Sequence, residues 1–195
     1  MLTRDQVLHA AVRRLNSDPT TSMADLAAAI GISRATLNRH FASRDALLRE
    51  IGERSLDHWD RSQRESGMAE AAESGDPEAI RDCLRELTRW FVENAEEFAY
   101  ALANNRLEAM PELVERADVL ADREVEFYAA AQRAGVLRSD VPARWIEHTI
   151  YGLMIAAREG LRRGDVARRD LEGLVLSTFL TGTGATPTAS ERQTR

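Results

Sequence analysis

Residues 21–44 read TSMADLAAAIGISRATLNRHFASR, and their capping signals divide this stretch into two short helices. Ser22 can cap the first helix, whose apolar residues recur at three- and four-residue spacing. This helix should end at Gly31, because helices commonly end at a glycine in the left-handed backbone conformation. Ser33 can cap the second helix. Two helices joined by a short turn that contains glycine predict a helix-turn-helix over about residues 22–41.

The second helix has one apolar side, formed by Leu37 and Phe41, and one slim, polar, cationic side. Such a surface suits the DNA major groove, where arginine binds guanine, asparagine binds adenine and a methyl group contacts thymine. The predicted base contacts are therefore Arg34, Ala35 and Asn38. The predicted phosphate contacts are Ser22, Ser33, Thr36, Arg39, His40 and Arg44. The alternative is a polar surface that faces only solvent.

The run LAAAIGISRATLNRHFASRDALL resembles the DNA-binding region of TetR-type bacterial regulators. The family pattern has an aliphatic-Ala pair, Ala-Gly-Val-Ser, Leu-Tyr-x-His-Phe and Ser-Lys-x-x-Leu, and the match covers about the first fifty residues. The resemblance implies an all-α fold, with an N-terminal three-helix DNA-binding domain and a C-terminal helical bundle for ligand binding and dimerisation. It also places Arg34, Ala35 and Asn38 where the family touches base edges. Asn38 replaces the usual Tyr, and its amide can bind adenine through two hydrogen bonds.

The net charge of −6 is unevenly distributed along the 195 residues. The first fifty residues carry +2 and the remainder −8, so only the amino-terminal part is expected to attract phosphate. No stretch is long and apolar enough to span a bilayer and no signal-peptide pattern precedes Thr3, which predicts a cytoplasmic protein. The single cysteine, Cys83, excludes an internal disulfide.

Apolar residues at helical spacing predict further helices on both sides of the helix-turn-helix. Thr3 and Gln6 form a capping box at the start of a bracing helix, and another helix runs from Ser43 past Trp59. The stretch from Gln63 to Asp76 has little aliphatic content and is predicted to be a fraying helix end and a linker. The predicted domains are a DNA-binding domain at 1–50, an effector-binding and dimerisation domain at 51–181, and a disordered tail at 182–195.

The last two predicted helices carry apolar residues on two sides, more than one chain's core requires. Extra apolar surface on adjacent helices indicates a twofold homodimer, with a four-helix interface. The predicted interface residues are Trp145, Ile150, Leu153, Leu171, Leu174, Val175 and Phe179. Such a dimer can hold two recognition helices about 34–36 Å apart, one turn of B-DNA, and so bind a palindrome.

Aromatic and polar residues on otherwise apolar helices are candidates for an effector pocket, because ligand cavities are mostly apolar with a few placed polar groups. These residues are Trp90, Asn94, Tyr100, Arg106, Phe127, Tyr128, Gln132, His148, Tyr151 and Met154. The alternative is that Trp90, Phe127 and Met154 belong to the core and that His148 is a core or interface residue.

Catalytic and metal-binding patterns are missing from the sequence. The four histidines fall on separate predicted helices without metal-ligand spacing, and no nucleophile motif or phosphate-binding glycine loop occurs. We therefore predict no enzyme activity, metal or cofactor. The predicted function is a sequence-specific transcriptional regulator, a repressor released from a palindromic operator by a small molecule. A helical adaptor that binds protein, or a DNA-binding regulator without an effector, remains an alternative.

Overall fold

The computed structural model describes residues 2–93 and 109–185, in which every regular element is a helix, as predicted. The helices are α1 (Arg4–Ser17), α2 (Met23–Ile30), α3 (Arg34–His40), α4 (Arg44–Glu65), α5 (Met68–Ser74), α6 (Pro77–Glu93), α7 (Pro111–Arg133), α8 (Ala143–Arg163) and α9 (Arg168–Thr183).

These helices form two compact units. Among the described residues, the first unit contains 2–59 and 109–118, and the second contains 60–93 and 119–185. The first unit thus runs beyond Glu50, where the DNA-binding domain was predicted to end. Helix α4 is continuous and contributes residues to both units, and so does α7.

Local capping defines the short helices of the first unit. The Thr3 hydroxyl accepts a hydrogen bond from the Gln6 backbone N–H at 3.2 Å, and the Gln6 side chain accepts one from the Thr3 N–H at 2.9 Å. The Ser22 and Ser33 hydroxyls each accept a hydrogen bond from the backbone N–H three residues ahead and so cap α2 and α3. Gly31 ends α2 with φ of 78°, a backbone conformation that residues with a Cβ rarely adopt. All of these predicted caps are confirmed.

The core of the first unit is the apolar stripe predicted on α1, packed against α2 and α3. Helices α2 and α3 also pack against each other, so neither short helix depends on its own propensity alone. The buried side chains are Val7, Leu8, Ala11, Val12, Leu15, Leu26, Ala27, Leu37, Phe41, Leu47, Leu48 and Ile51.

In the second unit, α9 packs against α6 and α8, and α5 packs against α6. Three aromatic residues lie at the centre of its core. Phe127 and Tyr128 on α7 have ring centroids 5.6 Å apart, and Tyr128 lies 6.1 Å from Phe179 on α9. The burial of these rings removes large apolar areas from water and stabilises the bundle.

The prediction of a linker between Gln63 and Asp76 was wrong. Helix α4 continues to Glu65, and residues Met68–Ser74 form α5. Met68 and Ala71 are buried in the core and Ala72 packs against it, so α5 is held by its apolar side. Gly67 and Gly75, which read as loop signals in the sequence, border α5 with positive φ.

The tail was predicted to be disordered from Gly182 onward, but α9 continues to Thr183. The Ala185 N–H then donates to the Val136 carbonyl at 3.0 Å, and the Arg138 N–H donates to the Thr183 carbonyl at 2.8 Å. The end of α9 is therefore fixed to the turn between α7 and α8. Residues 186–195 lie outside the described part of the chain.

Candidate nucleic-acid interface

The two sides of α3 differ sharply in exposure. Leu37 is fully buried and Phe41, which follows the helix, is 1% exposed, so both anchor the helix in the core of the first unit. The exposed side carries Arg34, Ala35, Asn38 and Arg39. Within the described chain Arg34 and Arg39 form no ion pair, so their guanidinium groups are available for an external anion.

The hydroxyl groups at the two helix starts take part in capping. The Ser33 hydroxyl accepts from the Thr36 N–H at 3.0 Å and lies 2.9 Å from the Thr36 hydroxyl. The Ser22 hydroxyl accepts from the Asp25 N–H at 3.2 Å and donates to the Asp25 carboxylate at 2.6 Å. The predicted phosphate contacts by Ser22, Ser33 and Thr36 thus involve groups that also hold α2 and α3 in place.

Arg44 and His40, both predicted to contact phosphate, are half-buried in this unit. The Arg44 guanidinium donates to the backbone carbonyls of Thr21 and Pro19, the latter at 2.7 Å, and so holds the turn that precedes α2. His40 is half-buried, and its Nε2 atom is buried without a hydrogen-bond partner in the structure. The phosphate contacts of Arg44 and His40 therefore stay predictions, and the Arg44 guanidinium already has two backbone partners within the unit.

Arg4 is a structural residue of this unit that the sequence analysis missed. Its guanidinium donates to the His40 carbonyl, at the end of α3, and to the Glu50 carboxylate on α4, with Nε 2.9 Å from Oε1. The same group lies 4.6 Å from the centre of the Phe41 ring, within the range of a cation–π interaction. Arg4 therefore joins the start of α1 to the end of the exposed helix α3.

We expect Arg4→Ala to loosen α1 and α3. The arginine side chain is half-exposed, so solvent screening limits its ion pair, and the three contacts together should contribute about 1–2 kcal/mol. Hydrogen exchange of the amides in α1 and α3, measured in the full chain, reports this loss directly. Arg13→Ala is the matched control, because Arg13 is exposed on the same helix, and it should leave exchange unchanged.

The structure separates the residues predicted for an effector pocket. Phe127, Tyr128 and Met154 are buried in the second unit, and Trp90 is half-buried. Asn94, Tyr100 and Arg106 lie outside the described residues.

Three of the predicted pocket residues are placed elsewhere by the structure. The half-buried Gln132 donates through Nε2 to the carbonyls of Arg138 and Val141, both at 2.8 Å, and so fixes the turn before α8. His148 and Tyr151 are exposed on α8, the histidine beside the Glu147 carboxylate at 2.7 Å. Gln132 thus holds a turn, while His148 and Tyr151 lie on the exposed side of α8.

The predicted dimer interface also requires correction. Ile150, Leu171, Val175 and Phe179 are at most 6% exposed in the single chain, because they form its own core. Leu153 packs partly against that core. The apolar side chains that remain exposed on α8 and α9 are Trp145, Tyr151, Ile155 and Leu174, and we refer to these four as the α8–α9 face.

Two classes of site have no support in the described residues. No group of three or more histidine, cysteine, aspartate or glutamate side chains is arranged to hold a metal ion there. In the same residues, none of the helices combines the length and the apolar character needed to cross a lipid bilayer.

Comparison with known proteins identifies the first unit and the fold. Residues 8–51 match the family described as bacterial regulatory proteins, tetR family. The chain is 26% identical over 183 residues to the HTH-type transcriptional repressor LfrR of Mycolicibacterium smegmatis, with 92% of this chain and 89% of LfrR covered.

Solved structures extend the likeness to both units. The structure of LfrR from Mycobacterium smegmatis in complex with proflavine has a TM-score of 0.69 at 24% identity, covering 92% of this chain and 94% of that one. KstR2 of Mycobacterium tuberculosis, a ketosteroid transcriptional regulator, has a TM-score of 0.75 at 18% identity, covering 94% and 95%.

AibR, solved in complex with isovaleryl coenzyme A and operator DNA, has a TM-score of 0.67 at 17% identity, covering 90% of this chain and 96% of that one. Three observations indicate the same function: the capped helix-turn-helix, the matched family segment and the similarity to LfrR over both units. The chain is a DNA-binding transcriptional regulator whose residues 8–51 match the tetR family and whose full length is similar to a TetR-type repressor.

Proposed function

We propose that this protein is a homodimeric repressor that binds a palindromic operator and releases it when a small molecule binds the second unit. The observation that carries the proposal is the exposed side of α3. The side chains of Arg34, Asn38 and Arg39 face solvent there, while Leu37 is buried on the opposite side of the helix. The proposal includes no catalytic step, and it places the protein in the cytoplasm with its DNA.

The exposed side chains of α3 have the chemistry for both kinds of DNA contact. Arg34 can donate two hydrogen bonds to guanine, Asn38 can bind adenine, and the Ala35 methyl can contact the thymine methyl. Arg39 supplies a charge for phosphate, which fixes the position of the helix without selecting a sequence. The surplus of +2 in the first fifty residues favours approach to DNA by this unit, while the −8 elsewhere opposes indiscriminate binding.

The α8–α9 face supports the dimer. Trp145 is 59% exposed and Leu174 is 48% exposed. Large apolar side chains that are this exposed on neighbouring helices are typical of a protein–protein interface. Gly152 and Gly173 are exposed on the same helices, and a Cβ at either would meet no atom of the chain within 4 Å. Glycine destabilises a helix relative to alanine, but it allows another backbone to approach the helix closely. In the proposed dimer, the second copy of the chain approaches α8 and α9 at these two glycines.

The relatives support an effector. LfrR was solved with proflavine, and AibR with isovaleryl coenzyme A and operator DNA. We propose that a ligand bound in the second unit favours a dimer whose two α3 helices do not fit successive major grooves. DNA and ligand then oppose each other through one coupling free energy. The continuous helix α4 is the proposed connection.

The test begins with selection of bound duplexes from random DNA, followed by affinity measurements against salt. The proposal expects a palindrome and a steep loss of affinity as salt increases. Arg39→Ala should weaken binding about tenfold for every sequence and flatten the salt slope by about 1, whereas Asn38→Ala should relax the preference at one base pair.

Arg85→Ala, an exposed arginine on α6, serves as the control and should leave duplex affinity unchanged. A helical adaptor would show neither the salt slope nor the effect of Arg39→Ala, so either absence would remove the proposal. Duplex binding that no small molecule relieves would instead indicate a regulator without an effector.

A further inference from the structure

Arg44 joins the two ends of the helix-turn-helix. It is the first residue of α4 and lies four positions after the end of α3. Its guanidinium donates through Nη1 to the Thr21 carbonyl and through Nη2 to the Pro19 carbonyl, the latter at 2.7 Å. Both carbonyls belong to the turn between α1 and α2, directly before Ser22 caps α2. One side chain therefore bonds the segment after α3 to the segment before α2, and we refer to Arg44 and these two carbonyls as the Arg44 clamp.

The turn that receives Arg44 also contains hydrogen bonds of its own. The Asp18 carboxylate accepts from the Thr20 hydroxyl at 2.6 Å and from the Thr20 N–H at 3.0 Å, and these bonds hold the pKa of Asp18 below its usual value. The Thr21 hydroxyl donates to the Asp18 carbonyl at 2.7 Å, and Thr21 is only 3% exposed. Asp18 thus accepts from the donors of the turn, while Arg44 supplies donors to its carbonyl oxygens. Because a partly buried carbonyl is costly without a donor, the turn needs both residues.

The clamp acts on the helix that supports α3. Ser22 follows Thr21 directly, so a shift of the turn displaces the start of α2. Helix α2 packs against α3, which carries the predicted base contacts Arg34 and Asn38 on its exposed side. Hydrogen bonds to base edges weaken steeply when their distances and angles change. A displaced α2 therefore weakens DNA binding through α3.

The chemistry of the clamp requires an arginine. A guanidinium offers separate donor nitrogens in a rigid planar fork, and two of them are used here. A lysine ammonium keeps the positive charge but has a single donor nitrogen and no fork. Among the described residues no carboxylate pairs with Arg44, so its charge is not neutralised within the chain. Charge and hydrogen-bond geometry can thus be separated by one substitution, Arg44→Lys.

We infer that Arg44 is a positioning residue for DNA binding, which acts through the turn before α2 and not through a phosphate of its own. The alternative, a direct phosphate contact, requires only a positive charge at this place. The two roles predict opposite results for Arg44→Lys. Lysine replaces arginine in a simple phosphate contact, but it does not restore the clamp.

The experiment measures the affinity of full-length Arg44→Lys for the selected duplex over a range of salt concentrations. We expect a loss of about five- to tenfold at every salt concentration, because the fork is lost. The slope of log affinity against log salt should stay at the wild-type value, since no positive charge is removed. This behaviour contrasts with Arg39→Ala, which should flatten the slope by about 1. A role in stability alone would leave the affinity of the folded variant unchanged.

Hydrogen exchange in the free protein checks the physical cause. The amides of residues 20–26 should exchange severalfold faster in Arg44→Lys, because the turn and the first turn of α2 lose their support. Arg61→Lys is the matched control, because Arg61 is an exposed arginine on the same helix, and it should change neither affinity nor exchange.

Asp18→Ala provides a second variant, which serves also if circular dichroism shows that Arg44→Lys is unfolded. It loosens the same turn but leaves every positive charge in place. It removes a negative charge, which by electrostatics alone would strengthen binding to phosphate. The clamp instead predicts a severalfold loss of duplex affinity. In the double variant the two losses should be less than multiplicative, because both residues hold one turn.

Three results would overturn the inference. They are wild-type affinity in folded Arg44→Lys, a flattened salt slope in that variant, and unchanged or tighter duplex binding by Asp18→Ala. Each of these outcomes leaves the proposed function standing, because the selected duplex is already bound by the wild-type protein.

Discussion

Replacing Leu174 by arginine should convert the dimer into a monomer and remove most of the affinity for a palindromic duplex. Leu174 belongs to the α8–α9 face and is 48% exposed in the single chain. In a twofold interface each substitution occurs twice, so two guanidinium groups would enter one apolar surface. Burying such charges without partners costs several kcal/mol per ion, more than a moderate interface can offset.

The loss of duplex affinity follows from the loss of the second subunit. A dimer binds both half-sites at once, and linking two binding units raises the overall affinity by about 10²–10⁴-fold without any new contact. We therefore expect the Leu174→Arg monomer to bind the selected duplex about a hundredfold or more weakly. Sedimentation equilibrium gives the oligomeric state, and a fluorescence anisotropy titration of the duplex gives the affinity.

Val119→Arg is the matched control for this change. Val119 is 49% exposed on α7, so the same charge enters an equally exposed apolar position outside the α8–α9 face. The control should remain a dimer with the affinity of the wild type. A Leu174→Arg protein that stays dimeric and binds the duplex normally would show that the dimer uses another surface.

The parts of the structure that the sequence predicts well depend on contacts within about four residues. Ser22 and Ser33 each cap an amide three positions ahead, and Gly31 ends α2 through its own backbone conformation. These interactions are complete within the local chain, so the residue types alone determine them. The exposed side of α3 follows from the same local geometry once Leu37 is assigned to the core.

The contacts that the sequence could not predict join distant positions. Arg4 reaches partners 36 and 46 residues away, and Arg44 reaches back 23 and 25 residues to backbone carbonyls. A backbone carbonyl has no sequence signature, so arginine at either position reads only as a surface charge. The phosphate contact of Arg44 stays a prediction, and no sequence signal indicated its two backbone partners.

Helices with apolar residues on two sides pose a different difficulty. On α8 and α9 the helical periodicity places apolar residues on more sides than one core requires. Only tertiary packing decides which of these sides is buried within the chain. Ile150 and Phe179 are inside the chain and Trp145 is outside, although all three were predicted for one interface. Glu124, in contrast, is a buried carboxylate that the helical periodicity of the sequence could have revealed. It falls on the same helical stripe as the buried Leu120, and a carboxylate at such a position indicates a polar site in the core.

Gly184→Ala should destabilise the second unit by about 1–3 kcal/mol, the usual cost of forcing extra atoms into a packed position. The backbone of Gly184, with φ of −65° and ψ of 151°, is one that any residue adopts, so the effect is purely steric. A Cβ there would lie 2.3 Å from the Leu180 carbonyl oxygen. That oxygen accepts the Gly184 N–H at 2.8 Å, so neither group can move away without losing the cap of α9.

The matched control for this substitution is two residues earlier in the chain. Gly182 is exposed in the last turn of α9, and a Cβ there would meet no atom within 4 Å. Gly182→Ala should therefore stabilise the protein by up to about 1 kcal/mol, because alanine favours a helix over glycine. Urea unfolding followed by circular dichroism measures both free energies of unfolding. If Gly184→Ala were as stable as Gly182→Ala, the chain after α9 could shift freely, and the hydrogen bond from Ala185 to Val136 would contribute nothing to stability.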